Sequence, residues 1–154
     1  MSLAIYSKNG WIRAHATSAG EIANLLAIAD RDIRKSQTEG LGPEWSFDIA
    51  YNAALQLAVA ALAAAGWQAE RQNKHQRSIE CLAFTVKIAQ EEVDFLDSCR
   101  RKRHVAVYDQ IGAISEVEAK EMIQFAQKLR RGILNWLREN HSALLQKGGV
   151  RNGN

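Results

Sequence analysis

Ala50-Tyr51-Asn52-Ala53-Ala54-Leu55-Gln56-Leu57-Ala58-Val59-Ala60-Ala61-Leu62-Ala63-Ala64-Ala65-Gly66-Trp67 is the stretch that decides the fold. Wound as a helix it is apolar nearly all round, and such a helix has to be covered on every side. It is therefore expected to be the central helix, over about 44–65, between the turn Gly40-Leu41-Gly42-Pro43 and a stop at Gly66. The run approaches membrane length. Asn52 and Gln56 interrupt it, however, and its richness in alanine over leucine fits a buried helix whose neighbours come close. These two amides lie one turn apart on one face. Buried amides need partners, and for Asn52 either an arginine or the backbone and water would serve.

Upstream, Ser18-Ala19-Gly20-Glu21 is a capping box that opens a first helix with the stripe Ile22, Leu25, Leu26, Ile28, Ala29 and a charged exit from Asp30 to Lys35. Residues 1–17 show no period and read as an N-terminal extension, with Trp11 and Ile12 a cap on the body. Downstream, 68–74 reads as a loop and 75–88 as a third helix. A break is placed at 87–90, and a fourth helix follows, closed by Gly112. Ser115-Glu116-Val117-Glu118 caps a long amphipathic helix over 116–140 carrying Val117, Met122, Phe125, Leu129, Ile133 and Trp136. Residues 141–145 add a turn, and 147–154 a flexible basic tail. No strand pattern or internal repeat is visible. The expected fold is all-α, an up-and-down bundle of four to five helices over 18–146.

A chain of 154 residues suits one domain, and its composition is that of a globular protein. The net charge of +3 is small, but the basic excess is concentrated at Arg100 to Arg103 and in the tail, the footprint of a phosphate-bearing ligand. Cys81 and Cys99 fit neither a disulfide framework nor a zinc site and read as reduced thiols, which points to the cytoplasm. No signal peptide and no membrane partner are expected.

The densest basic cluster is Cys99-Arg100-Arg101-Lys102-Arg103-His104-Val105-Ala106-Val107-Tyr108-Asp109. If the fourth helix continues through it, Val93, Phe95, Leu96, Cys99, Ala106 and Val107 share an apolar face. Arg103 then projects near the middle of that face, with Arg100, His104 and Tyr108 along one edge. A guanidinium cannot shed its charge, so Arg103 needs an acidic partner inside the fold, the mouth of a phosphate-binding cleft, or a second copy of the chain. Asp97 and Asp109 are the internal carboxylates considered. A helix that ends before Val105 would instead release Arg103 to solvent.

The sequence has no glycine-rich phosphate loop, Gly-x-Ser-x-Gly elbow or His-Glu-x-x-His helix. His15, His75, His104 and His141 lie far apart, none with a second ligand one turn away, so no metal or other cofactor is expected. His104 differs in standing beside the cations and four residues before Tyr108. A phosphodiester held by arginine beside an imidazole is a minimal arrangement for metal-free RNA cleavage.

Taken together, Ser-x-x-Glu-Ile with its leucine-rich helix, Ala50 to Ala58, Gly66, His75, and Arg103-His104-x-x-x-Tyr108-Asp109 before a final amphipathic helix resemble the HEPN superfamily over about 18–139. They look closest to the small prokaryotic branch found beside nucleotidyltransferase genes. The resemblance implies a helical bundle that homodimerises, with the arginine motif facing a cleft at the interface. It implies RNA or nucleotide binding and a separate nucleotidyltransferase partner in a toxin–antitoxin-like pair. Active members are metal-independent ribonucleases whose motif is arginine, four to six residues, then histidine. Here Arg103 matches the arginine and His104 the polar position, while Tyr108 stands where the histidine would fall. The leading expectation is thus a binding module in which Arg100 and Arg103 clamp phosphate. Asn52 and His104 hydrogen-bond the ligand, Tyr108 orients it, and Asp109 lies beside it. The alternatives are a ribonuclease using Arg103, His104 and Tyr108, and a non-catalytic interaction domain.

Overall fold

Alanine dominates the central helix, and close packing follows from it. The structure, a computed structural model, describes residues 1–108 and 112–145, the side chains of 105–108 excepted. Helix α3, Pro43–Ala64, is entered through Gly42 at φ 91°, with Pro43 at a position where a missing N–H costs nothing. Ala50, Ala53, Ala54, Leu57, Ala58, Ala60 and Ala61 are all essentially inaccessible to solvent. By length and composition α3 could cross a membrane, but most of it is covered by the rest of the chain, which accounts for its apolarity. Gly66 ends the run at φ 96°, a conformation that favours glycine.

The elements are α1 Leu3–Lys8, β1 Ile12–Ala14, α2 Ala19–Ser36, α3, β2 Trp67–Ala69, α4 Lys74–Glu80, a single 3₁₀ turn Cys81–Ala83, α5 Gln90–Tyr108 and α6 Glu116–Asn140. The class is therefore mostly helical, with a minimal two-stranded ribbon. Helix α2 runs antiparallel to α3: Asp32 meets Asn52 near one end, and Glu21 and Leu25 share a cavity with Gln56 and Val59 toward the other. Helices α5 and α6 are also antiparallel. Lys102 pairs with Glu118, the Phe95 and Phe125 rings stand 5.0 Å apart, and Glu92 pairs with Lys128 at 3.1 Å. Leu96, Met122, Ala126, Ile133 and Leu137 close the main core against α3.

Three expectations are corrected. The extension 1–17 and the loop 68–74 do contain strands: Ile12 pairs with Ala69 and Ala14 with Trp67, antiparallel. Three-residue strands are too short to display alternation. Tyr6, Ile12, Leu62, Ala69 and Cys81 then form a second small core, so the capping role read for Trp11 and Ile12 holds. The third helix stops at Glu80 rather than 88, and after the 3₁₀ turn the chain reverses through Lys87 at φ 62° before α5. The break placed at 87–90 fits that reversal. Finally, Val117 is 67% exposed and takes no part in the stripe of α6. The tail 147–154 lies outside the described residues.

If close backbone approach is what the alanines provide, Ala58→Leu overpacks the centre. It should lower unfolding free energy by about 1–3 kcal/mol, read from the urea midpoint at unchanged slope.

Candidate anion-binding cleft

Helix α5 continues through the basic cluster, so Arg103 does project toward the core and has to be neutralised. Its Nε–H donates to Asp48 on α3, and its guanidinium carbon lies 5.3 Å from the centroid of the Tyr51 ring, within cation–π range. The internal carboxylate is thus Asp48 rather than Asp97, and Asp109 lies outside the described residues. Asp48 and Tyr51 are one turn apart on α3 and together form the seat for Arg103. Asp97 is occupied otherwise, by Arg100 at 2.8 Å and by Arg101. Arg103 stays 34% exposed, so it is both paired and open to solvent.

That open side belongs to a cleft of about 480 Å³ between the start of α4 and the last turns of α5. Arg71, Lys74, His75, Arg100, Arg103 and His104 line it, together with the amides of Gln72, Asn73 and Gln76. Among the described residues no carboxylate belongs to that lining. Asp48 and Asp97 offset the two α5 arginines, whereas among the described residues Arg71 and Lys74 make no ion pair. The cleft therefore keeps a net positive field.

His75 lines the cleft from the first turn of α4. Burial, and then the charges of Arg103, Lys74 and Arg100, push its pKa below the ordinary imidazole value, so it is held neutral at pH 7. A neutral imidazole can accept a proton, and an incoming anion would favour its protonated form.

Of the residues singled out from sequence, Arg100, Arg103 and His104 meet in this cleft. Asn52 does not. It donates to Asp32 across the α2–α3 contact at 2.7 Å, and Gln56 donates to its Oδ1 at 3.4 Å, so it ties helices together away from the lining. Its partner is a carboxylate from what reads as a charged, solvated helix exit. The Tyr108 side chain and Asp109 lie outside the described residues. Arg71, Lys74 and His75 were not anticipated as cleft residues. Their signal, a run of polar residues after Gly66, is indistinguishable from an ordinary loop.

The thiols are poor nucleophiles: burial pushes both Cys81 and Cys99 up to about 12. Among the described residues no three His, Cys, Asp or Glu side chains converge as a metal site would require. Comparison with known protein families, curated proteins and solved structures finds no match for this chain.

A depressed histidine pKa in the folded state means that the unfolded chain takes up the proton first, so stability falls as pH drops through the ordinary imidazole value of 6.5. Thermal melts of wild type between pH 7.5 and 5.5 should show this fall, and His75→Gln should flatten it. Identical profiles would place the titration elsewhere.

Proposed function

We propose that this chain is a HEPN-like helical-bundle module that binds RNA or a nucleotide through phosphate in the cleft between α4 and α5. The observation that carries the reading is the convergence of six basic side chains, from the loop before α4, from α4 and from α5, on one concave surface with no carboxylate among its described lining residues. Arginines supply planar donor forks, and Lys74 a mobile point charge. The resemblance supports the same ligand class. It also supports a homodimer and a nucleotidyltransferase partner in a toxin–antitoxin-like pair. Trp45 and Val117, 63% and 67% exposed at the starts of α3 and α6, are apolar side chains that such contacts would cover.

A second reading, a metal-independent ribonuclease, is favoured by one specific feature. Two imidazoles, His75 and His104, line the same cleft from different helices. The neutral His75 would take the 2′-hydroxyl proton as that oxygen attacks phosphorus, and a protonated His104 would supply the proton to the departing 5′-oxygen, leaving a 2′,3′-cyclic phosphate. Arg100 and Arg103 would stabilise the phosphorane. In this reading the base absent from the position of Tyr108 is provided by α4.

Arg71→Ala with Lys74→Ala removes two cleft cations that make no ion pair among the described residues and leaves the Arg100–Asp97 and Arg103–Asp48 pairs intact. The pair should weaken single-stranded RNA binding about 10-fold and reduce the salt slope by roughly two. Unchanged binding in gel-shift titrations at two salt concentrations would move the ligand elsewhere. Incubation of RNA in excess chelator separates the two readings. Cleavage abolished by His75→Ala and by His104→Ala establishes the enzyme, and intact RNA leaves the binding module.

A further inference from the structure

Behind Lys74 lies a second, more enclosed cavity of about 160 Å³. It is bounded by α2, α3, the ribbon and α4, and Lys74 borders both it and the cationic cleft. Its walls differ from those of the cleft. Leu25, Val59 and Trp67 are apolar or aromatic, while Glu21, Gln56 and Gln68 present polar groups. We infer that this cavity is the base compartment of the same site and takes a single pyrimidine ring, so that the ligand unit is a pyrimidine nucleotide with its phosphate beside Lys74. The inference rests on the phosphate reading of the larger cleft.

Size comes first. A cavity of about 150 Å³ holds one benzene ring, and a volume of 160 Å³ therefore suits one six-membered ring with its exocyclic groups. A fused purine would have to displace Leu25 or Val59. Chemistry comes next. A flat ring is satisfied by an aromatic wall such as Trp67 and by aliphatic side chains.

The edge of the ring needs directional partners, and Glu21 is the informative one. Thr17 donates to its Oε1 at 2.5 Å and His15 lies 2.8 Å from the same atom. The Thr17 hydrogen bond, with help from His15, holds its carboxyl below the usual carboxylate range. An ionised carboxylate only accepts, so it selects an amino or ring N–H edge, as the 4-amino group of cytosine offers. The Gln56 and Gln68 amides can donate to the ring carbonyl or accept from a ring N–H. Lys74 stands where base compartment and phosphate cleft meet, the place a nucleotide requires a cation.

The test is equilibrium binding of cytidine 5′-monophosphate, adenosine 5′-monophosphate and ribose 5-phosphate to the full chain. Cytidine 5′-monophosphate should bind about 10-fold or more tighter than ribose 5-phosphate, the worth of one stacked base, and tighter than the adenosine analogue. Val59→Phe, which fills the compartment, and Glu21→Gln, which removes its acceptor charge, should each erase that preference while ribose 5-phosphate binds as before. Because Val59→Phe could perturb the core, circular dichroism accompanies it, and Glu21→Gln gives the independent reading. Four-residue oligocytidylate distinguishes sources: binding tighter than the mononucleotide identifies a unit within a chain, equal binding a free nucleotide, and both support the compartment. Equal affinity for cytidine 5′-monophosphate and ribose 5-phosphate overturns the base compartment and leaves the phosphate cleft standing. No binding of any phosphate compound overturns both.

Discussion

Arg103 cannot lose its charge, and that constraint governs how α5 sits on α3. Its guanidinium has five N–H donors. The one on Nε is committed to Asp48, and the cation also lies over the Tyr51 ring, while the residue still borders solvent. Tyr51 itself is fully buried, and no hydrogen-bond partner is found for its hydroxyl among the described residues. Burial, opposed by the nearby arginines, raises its pKa, so it remains a neutral phenol beneath the cation. Removing Arg103 alone would strand Asp48. The cost stays below the roughly 3–5 kcal/mol of a fully buried pair because water screens the exposed side.

The other wall of the cleft depends on the small ribbon. Pairing of β1 with β2 fixes the direction in which the chain leaves α3, and the second core anchors Cys81 of the 3₁₀ turn that follows α4. Arg77 ties α4 itself to the aromatic rings of that core. Its guanidinium carbon is 3.8 Å from the centroid of the Trp11 ring and 5.9 Å from that of Tyr6, while Glu80 accepts from both Arg77 and the Tyr6 hydroxyl. An N-terminal segment far from the cleft in sequence thereby orients the helix whose first turn carries Lys74 and His75.

Much of the helical architecture was legible because its signals are local. The all-round apolarity of α3, the Ser115 capping box and the stop at Gly66 each describe a few neighbouring residues, and each appears where expected. The strands were not legible, since three residues give no period. Arg103 stood out from sequence as a charge on an apolar face, but its partner Asp48 lies 55 residues away, and no local pattern marks such a pair. Asn52 announced a buried polar contact without naming Asp32 as its cause. His75 became a cleft residue only through the packing of α4 on α5, a tertiary fact that helix periodicity does not contain.

The most direct test of the account is a sulfate titration of isotopically labelled protein followed by amide NMR at constant ionic strength, since sulfate mimics phosphate without titrating near neutrality. The account predicts saturable shifts concentrated at residues 71–76 and 100–104, the two segments that line the cleft. Shifts confined to other surfaces, or none that saturate, would contradict it.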